Sequence, residues 1–264
     1  MSLVLGLDPS ITSFGWVVYD SSKVGVDKLV ERGRWKTATS EFEIVRYLRL
    51  RESLRECVRR YGIKRAGMET PPVGSVAWNQ ERLYALFIYN MEVMYTEKVD
   101  VVLFAPTQLT LLAKQVGAGV EKRSWDKAEM VWTARSHLMD MVTLISRRSV
   151  TSSGVNPDTG VSRAIENALE NQFPFIDDKA HPKPIQKAIK FQSDEADAYH
   201  AARFGHRFFD LVDGVISEDD LTPSEWDVFM KSHTYTRGAK KGTTEAEGIF
   251  YKEGSRFYRF HSSQ

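Results

Sequence analysis

The stretch Leu3-Val4-Leu5-Gly6-Leu7-Asp8-Pro9-Ser10-Ile11-Thr12-Ser13-Phe14-Gly15-Trp16-Val17-Val18-Tyr19 decides the fold. Its first six residues are an apolar run that stops at an acid. Pro9 to Ser13 reads as a turn, because proline presets φ and serine or threonine hydroxyls bond locally to the backbone. Phe14 to Tyr19, aromatic and β-branched, reads as a second strand. Residues 27–36 supply a third, so the chain opens as an antiparallel meander. An acid at the end of a strand stands at the sheet edge, where ligands bind in α/β folds.

Outward from this opening, residues 41–61 carry Tyr47, Leu50, Leu54, Cys57 and Tyr61 at helical spacing, one apolar stripe with arginines on the other faces. Cys57 lies on that stripe and reads as core. Ile63 to Met68 is a short strand ending at Glu69, broken by Thr70-Pro71-Pro72-Val73-Gly74. Residues 77–97 read as helix. Val99 to Phe104 reads as a strand closed by Ala105-Pro106, and a helix is expected from Thr107 as N-cap. Gly117 and Gly119 interrupt it, and Lys122 to about Ser146 reads as helix again. Residues 149–192, with their glycines, prolines and serines, read as an irregular insertion. Ser193 to Leu211 is a helix. The last feature, Gly248 to Tyr258, is a basic, aromatic hairpin turning at Glu253-Gly254. No internal repeat is present. Strands alternating with helices predict an α/β protein.

The chain has 264 residues, 42% hydrophobic and 27% charged, enough to bury a core. At about 150 residues per domain this is one large domain with additions or two small ones. No apolar run approaches the ~18 residues of a membrane helix, and the N-terminus lacks signal-peptide character. A single cysteine excludes an intrachain disulfide and a multi-cysteine zinc site, so a reducing cytosol is the expected compartment. The net charge of +1 argues at first against a nucleic-acid partner. It hides blocks, however. Arg32 to Arg65 holds eleven Lys/Arg against four acids, and Asp210 to Asp227 holds seven acids and no Lys/Arg. Lys231 to Gln264 holds seven Lys/Arg against three acids. A solvated surface is the ordinary meaning of any one block.

Three acidic features stand apart from these runs. Asp8 and Glu69 each end a strand, while Asp194 and Asp197 are spaced i, i+3 on one helix. His200 continues that spacing as a candidate auxiliary group. Any one acid alone is more often a cap or a surface group, and Asp194 also suits the first turn of its helix, where the dipole favours an anion. Together they form a set of carboxylates without thiolates, which favours Mg²⁺ or Mn²⁺. Two such ions about 3.5–4 Å apart can neutralise a phosphodiester, activate water and stabilise the leaving oxygen. Asp8, in the middle of the sheet, is the natural bridge.

Five motifs carry a family resemblance. Leu5-Gly6-Leu7-Asp8-Pro9-Ser10 with Phe14-Gly15-Trp16-Val17-Val18 resembles the opening of RuvC-type Holliday-junction resolvases. Glu69 resembles the family's second acid, and Phe104-Ala105-Pro106-Thr107-Gln108 its aromatic-Ala-Pro-x-Gln step. Gly117-Ala118-Gly119-Val120-Glu121-Lys122 resembles its Gly-rich, lysine-bearing stretch, and Ser193-Asp194-Glu195-Ala196-Asp197-Ala198 its closing Asp-x-x-Asp helix. The resemblance covers residues 3–147 and 192–207. It implies an RNase H-like mixed sheet flanked by helices, a homodimer, and Mg²⁺-dependent nicking of four-way junctions. Asp8, Glu69, Asp194 and Asp197 would hold two ions, with Mn²⁺ as a substitute. A twofold dimer suits a junction, which presents two equivalent strands.

On this reading residues 1–210 are the nuclease domain with its insertion, and 211–264 are an acidic linker and a basic, aromatic extension. DNA contacts are expected from Lys114, Lys122, Arg123 and Lys127. Where the family often has an aromatic wedge after the second acid, this chain has Pro72, so the wedge is either missing or supplied by Trp78, which equally suits a place in the core. The insertion and tail have no counterpart in the compact bacterial enzyme and resemble phage-encoded variants, so the expected setting is a bacterial or phage-infected cytoplasm, without a membrane partner. Three other readings compete. One is a flap, branched-DNA or RNA–DNA hybrid nuclease of the same fold, and another is a non-catalytic junction-binding protein. The third is a sugar-kinase or actin-like ATPase, which needs an Asp-x-Gly loop where this chain has only Asp213-Gly214. Tyr235, Arg237, Lys240, Lys241, Lys252, Arg256, Tyr258 and Arg259 suit either contact with nucleic acid or packing on the main domain.

Overall fold

The computed structural model describes residues 3–71, 77–116, 127–138, 191–230, 232–234, 244–246, 249–252 and 256–258. The opening stretch forms β1 (Leu3–Asp8) and β2 (Ser13–Asp20), and β3 (Leu29–Lys36) follows a short 3-10 turn at Gly25–Lys28. Then come α1 (Glu43–Tyr61), β4 (Arg65–Glu69), α2 (Ala77–Thr96), β5 (Asp100–Phe104), α3 (Pro106–Val116) and α4 (Lys127–Leu138). The long helix α5 (Ser193–Val212) and short α6 (Pro223–Phe229) precede four short strands: β6 (Ser232–Thr234), β7 (Thr244–Ala246), β8 (Ile249–Lys252) and β9 (Arg256–Tyr258).

One mixed sheet runs in the order β3-β2-β1-β4-β5-β8-β9. β1 is antiparallel to β2 and parallel to β4, which is parallel to β5. This is the expected α/β arrangement of a mixed sheet flanked by helices. β8 and β9 pair antiparallel, with Lys252 opposite Arg256, while Glu253 and Gly254, the expected turn, lie outside the described residues. The pair is joined to the main sheet, β8 running antiparallel to β5 with Val102 opposite Phe250. The β6–β7 hairpin carries no signal in the sequence reading.

Strand alternation sorts the core into two layers. Leu5, Leu7, Phe14, Val18, Ala66, Met68, Val101 and Leu103 face α1 and α2, packing on Tyr47, Leu50, Leu54, Leu86 and Val93. Val17 and Tyr19 face α4 and α5, while Val102 and Phe104 face α3, α5 and α6. Cys57 is buried in the first layer, as its stripe predicts.

Local chemistry accounts for the boundaries. Gly62, at φ 61°, takes the left-handed conformation that ends α1. Helix α3 begins at Pro106, one residue before the expected Thr107 cap. Its first turn is closed by the Gln108 side chain, whose Oε1 accepts from the Ala105 N–H at 2.8 Å. Proline at the first helical position loses no hydrogen bond there. Of the predicted helix from Lys122 to Ser146, the described residues hold 127–138. Phe191 and Gln192, assigned to the insertion, belong to the fold: Phe191 is buried, and Gln192 is the N-cap of α5 in a capping box with Glu195.

The acidic stretch 210–227 is folded, not an open linker. Val228, Phe229 and Met230 at the end of α6 are buried on Val102, Phe104 and Phe208. Its acids are used locally: Glu225 pairs with Arg207 at 2.9 Å and Asp213 with Arg65 at 2.6 Å. No helix among the described residues is long and apolar enough to cross a membrane.

Candidate active site

Three backbone relationships bring together the elements that carry the predicted carboxylates. First, the register of β1 and β4 pairs Leu7 with Met68, so Asp8 and Glu69 are the next residues on two adjacent parallel strands. Neighbouring strands lie about 4.8 Å apart. Second, Asp8 and Glu69 each lie two residues beyond a glycine, Gly6 and Gly67, that is covered by α5. Alternation therefore puts both acids on the α5 face.

Third, glycines let α5 lie directly on the sheet. A Cβ on Gly6 would stand 1.8 Å from the Ala198 carbonyl oxygen, and one on Gly67 would stand 2.0 Å from that of Ala201. At the carboxylate end, a Cβ on Gly15 would stand 2.1 Å from the carbonyl oxygen of Asp194. Gly15 is the cross-strand partner of Asp8. The helix start is thus seated beside Asp8 because nothing projects from β2 at that point.

The side chain of Asp194 is held from the start of β2 and faces β3. Ser13 Oγ donates to its Oδ2 at 2.5 Å, Ser193 Oγ to its Oδ1 at 3.1 Å, and Arg34 lies 3.8 Å from its Oδ2. The adjacent Glu195 is structural: it pairs closely with Arg32 and accepts from the Gln192 N–H at 2.9 Å. Asp8, Glu69 and Asp197 are all partly buried. Among the described residues, no three carboxylate, imidazole or thiol groups stand close enough together to hold a metal ion. The elements converge, while Asp194 turns toward Ser13 and Arg34. The donor set of hard carboxylate oxygens fits a hard cation.

His200 is not on the carboxylate side. Its Nε2 lies 3.1 Å from both Thr133 Oγ1 and the Met130 carbonyl oxygen, and the ring is fully buried between α4 and α5. Successive i+3 steps drift around a helix of 3.6 residues per turn, so the third residue of the series turns inward. Burial pushes its pKa down to about 3, with Arg203 adding to the fall, and the ring stays neutral. Trp78, Lys114 and Lys127 lie in α2, α3 and α4, and their side chains fall outside the described residues, as do Lys122 and Arg123 entirely.

The basic block Arg32–Arg65 divides in two. Arginines of α1 lie in the layer opposite the carboxylates and pair with acids: Arg49 with Glu41, Arg55 with Glu92, and Arg59 with Glu97. The strand residues lie on the carboxylate side, where Arg32 and Arg34 meet the first turn of α5. Sequence reading missed Ser13 and Arg34. The available signal was the alternation Arg32-Gly33-Arg34-Trp35-Lys36, which puts three cations on one face of a strand.

No protein-family model matches the chain, and no curated protein sequence matches it. Two of the solved structures similar to it are both of RuvC. One is described as T. thermophilus RuvC in complex with Holliday junction substrate, with 16% identity, coverage of 76% of this chain and 90% of that one, and a TM-score of 0.46. The other is described as Thermus thermophilus RuvC structure, with the same identity and coverage and a TM-score of 0.42.

Proposed function

We propose that the chain is a divalent-metal-dependent endonuclease that cuts branched DNA, with the four-way junction as its substrate. The observation that carries this reading is the convergence of Asp8 and Glu69 on adjacent strand ends with α5 seated over Gly15. Asp8, Glu69, Asp194 and Asp197 would hold Mg²⁺ or Mn²⁺. Bound divalent ions supply charge neutralisation of the phosphodiester and an activated water. The chain's own part is positioning. β1 and β4 fix two carboxylates on a rigid sheet, the glycine contacts fix the height of α5, and Ser13 orients Asp194 by donating to it. The motifs of the sequence point the substrate to four-way junctions, and a homodimer would place one site on each equivalent strand.

The test is a nicking assay on labelled four-way junction, flap, duplex and RNA–DNA hybrid substrates, with Mg²⁺ and with chelator. Paired nicks in the junction that need Mg²⁺ are expected. Intact substrates at protein excess with Mg²⁺ would leave a binding protein, and cutting confined to flap or hybrid would replace the junction by that substrate.

A further inference from the structure

Strand β3 is an edge of the sheet, and its alternate residues Arg32, Arg34 and Lys36 share the face that carries the carboxylates. Register links them to the site. Arg34 is opposite Gly15, which is opposite Asp8, and Lys36 is opposite Ser13. The row across the sheet is therefore cation, gap, acid, acid: Arg34, Gly15, Asp8 and Glu69.

The three cations are held differently. Arg32 is enclosed, with 13% of its side chain exposed, pairs closely with Glu195 and lies over the Phe191 ring at 4.4 Å. Arg34 is twice as exposed, at 26%, and lies 3.8 Å from Asp194 Oδ2, beyond hydrogen-bond range. It donates to Ser13 Oγ only at the long distance of 3.5 Å. Lys36 is exposed. Cβ positions two residues apart on a strand are about 6.8 Å apart, so Arg34 and Lys36 present two positive charges in line toward the carboxylate end. A cation that holds a carboxylate loosely is suited to receive a phosphate, with which guanidinium forms two parallel hydrogen bonds.

We infer that Arg34 and Lys36 are phosphate-contacting residues that seat the DNA backbone against the carboxylate row. The inference rests on the nuclease reading and extends it to an edge strand as the approach for the substrate. Arg32, locked to Glu195, supports the first turn of α5 and takes no part in the contact.

The experiment measures the affinity of a labelled four-way junction against salt concentration, in chelator, for the full chain and its Arg34→Ala, Lys36→Ala, double-alanine and Arg34→Lys variants. Thermal melts verify folding. Each phosphate contact adds about 0.9 to the slope of log affinity on log salt. Each single alanine variant is expected to lower the slope by about 0.9, and the double variant by about 1.8 with a roughly tenfold loss of affinity. Arg34→Lys keeps the charge and the slope. A folded double variant with the wild-type slope overturns the inference. So does Arg34→Ala losing Mg²⁺-dependent nicking at an unchanged slope, which makes Arg34 a holder of Asp194 instead. A wild-type chain that neither binds nor nicks junctions defeats the nuclease reading itself, and the inference falls with it.

Discussion

The carbonyl oxygen of Asp194 occupies the space that a side chain on Gly15 would need, the would-be Cβ lying 2.1 Å away. Since Gly15 is paired with Asp8, this one contact fixes how the start of α5 stands relative to β1.

Gly15→Ala is therefore expected to push the helix start outward. Overpacking of this kind costs about 1–3 kcal/mol. Gly6→Ala, against the Ala198 carbonyl at 1.8 Å, should cost as much or more. Urea unfolding of both variants measures this. Midpoints equal to that of the parent chain would contradict the close approach.

Buried histidines make folding sensitive to mild acid. Burial lowers His200 to about 3 and His137 to about 2, with Arg203 lowering both further. Unfolded histidine titrates near pH 6.5. The unfolded chain thus takes up protons below about pH 6.5 that the folded chain refuses. Stability is full above that pH and declines as pH falls toward 3, by up to about 1.4 kcal/mol per unit for each histidine. His200→Gln should flatten the decline of unfolding free energy between pH 6.5 and 4. An unchanged slope would mean that His200 is not held neutral.

The Arg207–Glu225 pair ties α5 to α6. Burial alone raises the Glu225 carboxyl, but hydrogen bonds from Arg207 and Thr222 outweigh it and hold it below the usual carboxylate range. Its contribution is present above the unfolded value near 4.3 and is lost as pH falls through the lowered folded value. Arg207→Ala would leave Glu225, only 6% exposed, without its partner. We expect a loss of about 2 kcal/mol, below the ~3–5 of a fully enclosed pair. A melting temperature unaffected at neutral pH would show that the pair contributes nothing.

Cys57 should be inert. Burial pushes its thiol up to about 12, with Glu31 adding to the rise. A thiol reagent should react with it only after denaturant is added, and stoichiometric reaction of the native chain would contradict its place in the core.

The strands and the strand-end positions of Asp8 and Glu69 were legible because each rests on a local signal. An apolar run marks β1, aromatic and β-branched residues mark β2, and the acids at 8 and 69 stop their strands. Periodicity also marked α1. What escaped depends on contacts far apart in sequence. The seating of Asp194 on Gly15, the hold of Ser13 on Asp194, and the enclosure of His200 by α4 all join residues more than sixty positions apart. Charge misled for the same reason. The acid run 210–227 read as a linker because its apolar anchor, Val228 to Met230, follows it. The arginines of α1 read as a single basic block because their partners Glu92 and Glu97 come from α2 and the residue just after it.

The most direct test of the central claim is Asp8→Asn against the parent chain on a labelled four-way junction, with binding read in chelator and nicking in Mg²⁺. The proposed role of Asp8, beside Glu69 at the end of the sheet, predicts that the variant binds the junction as the parent does and leaves it intact. Full Mg²⁺-dependent nicking by Asp8→Asn would contradict it.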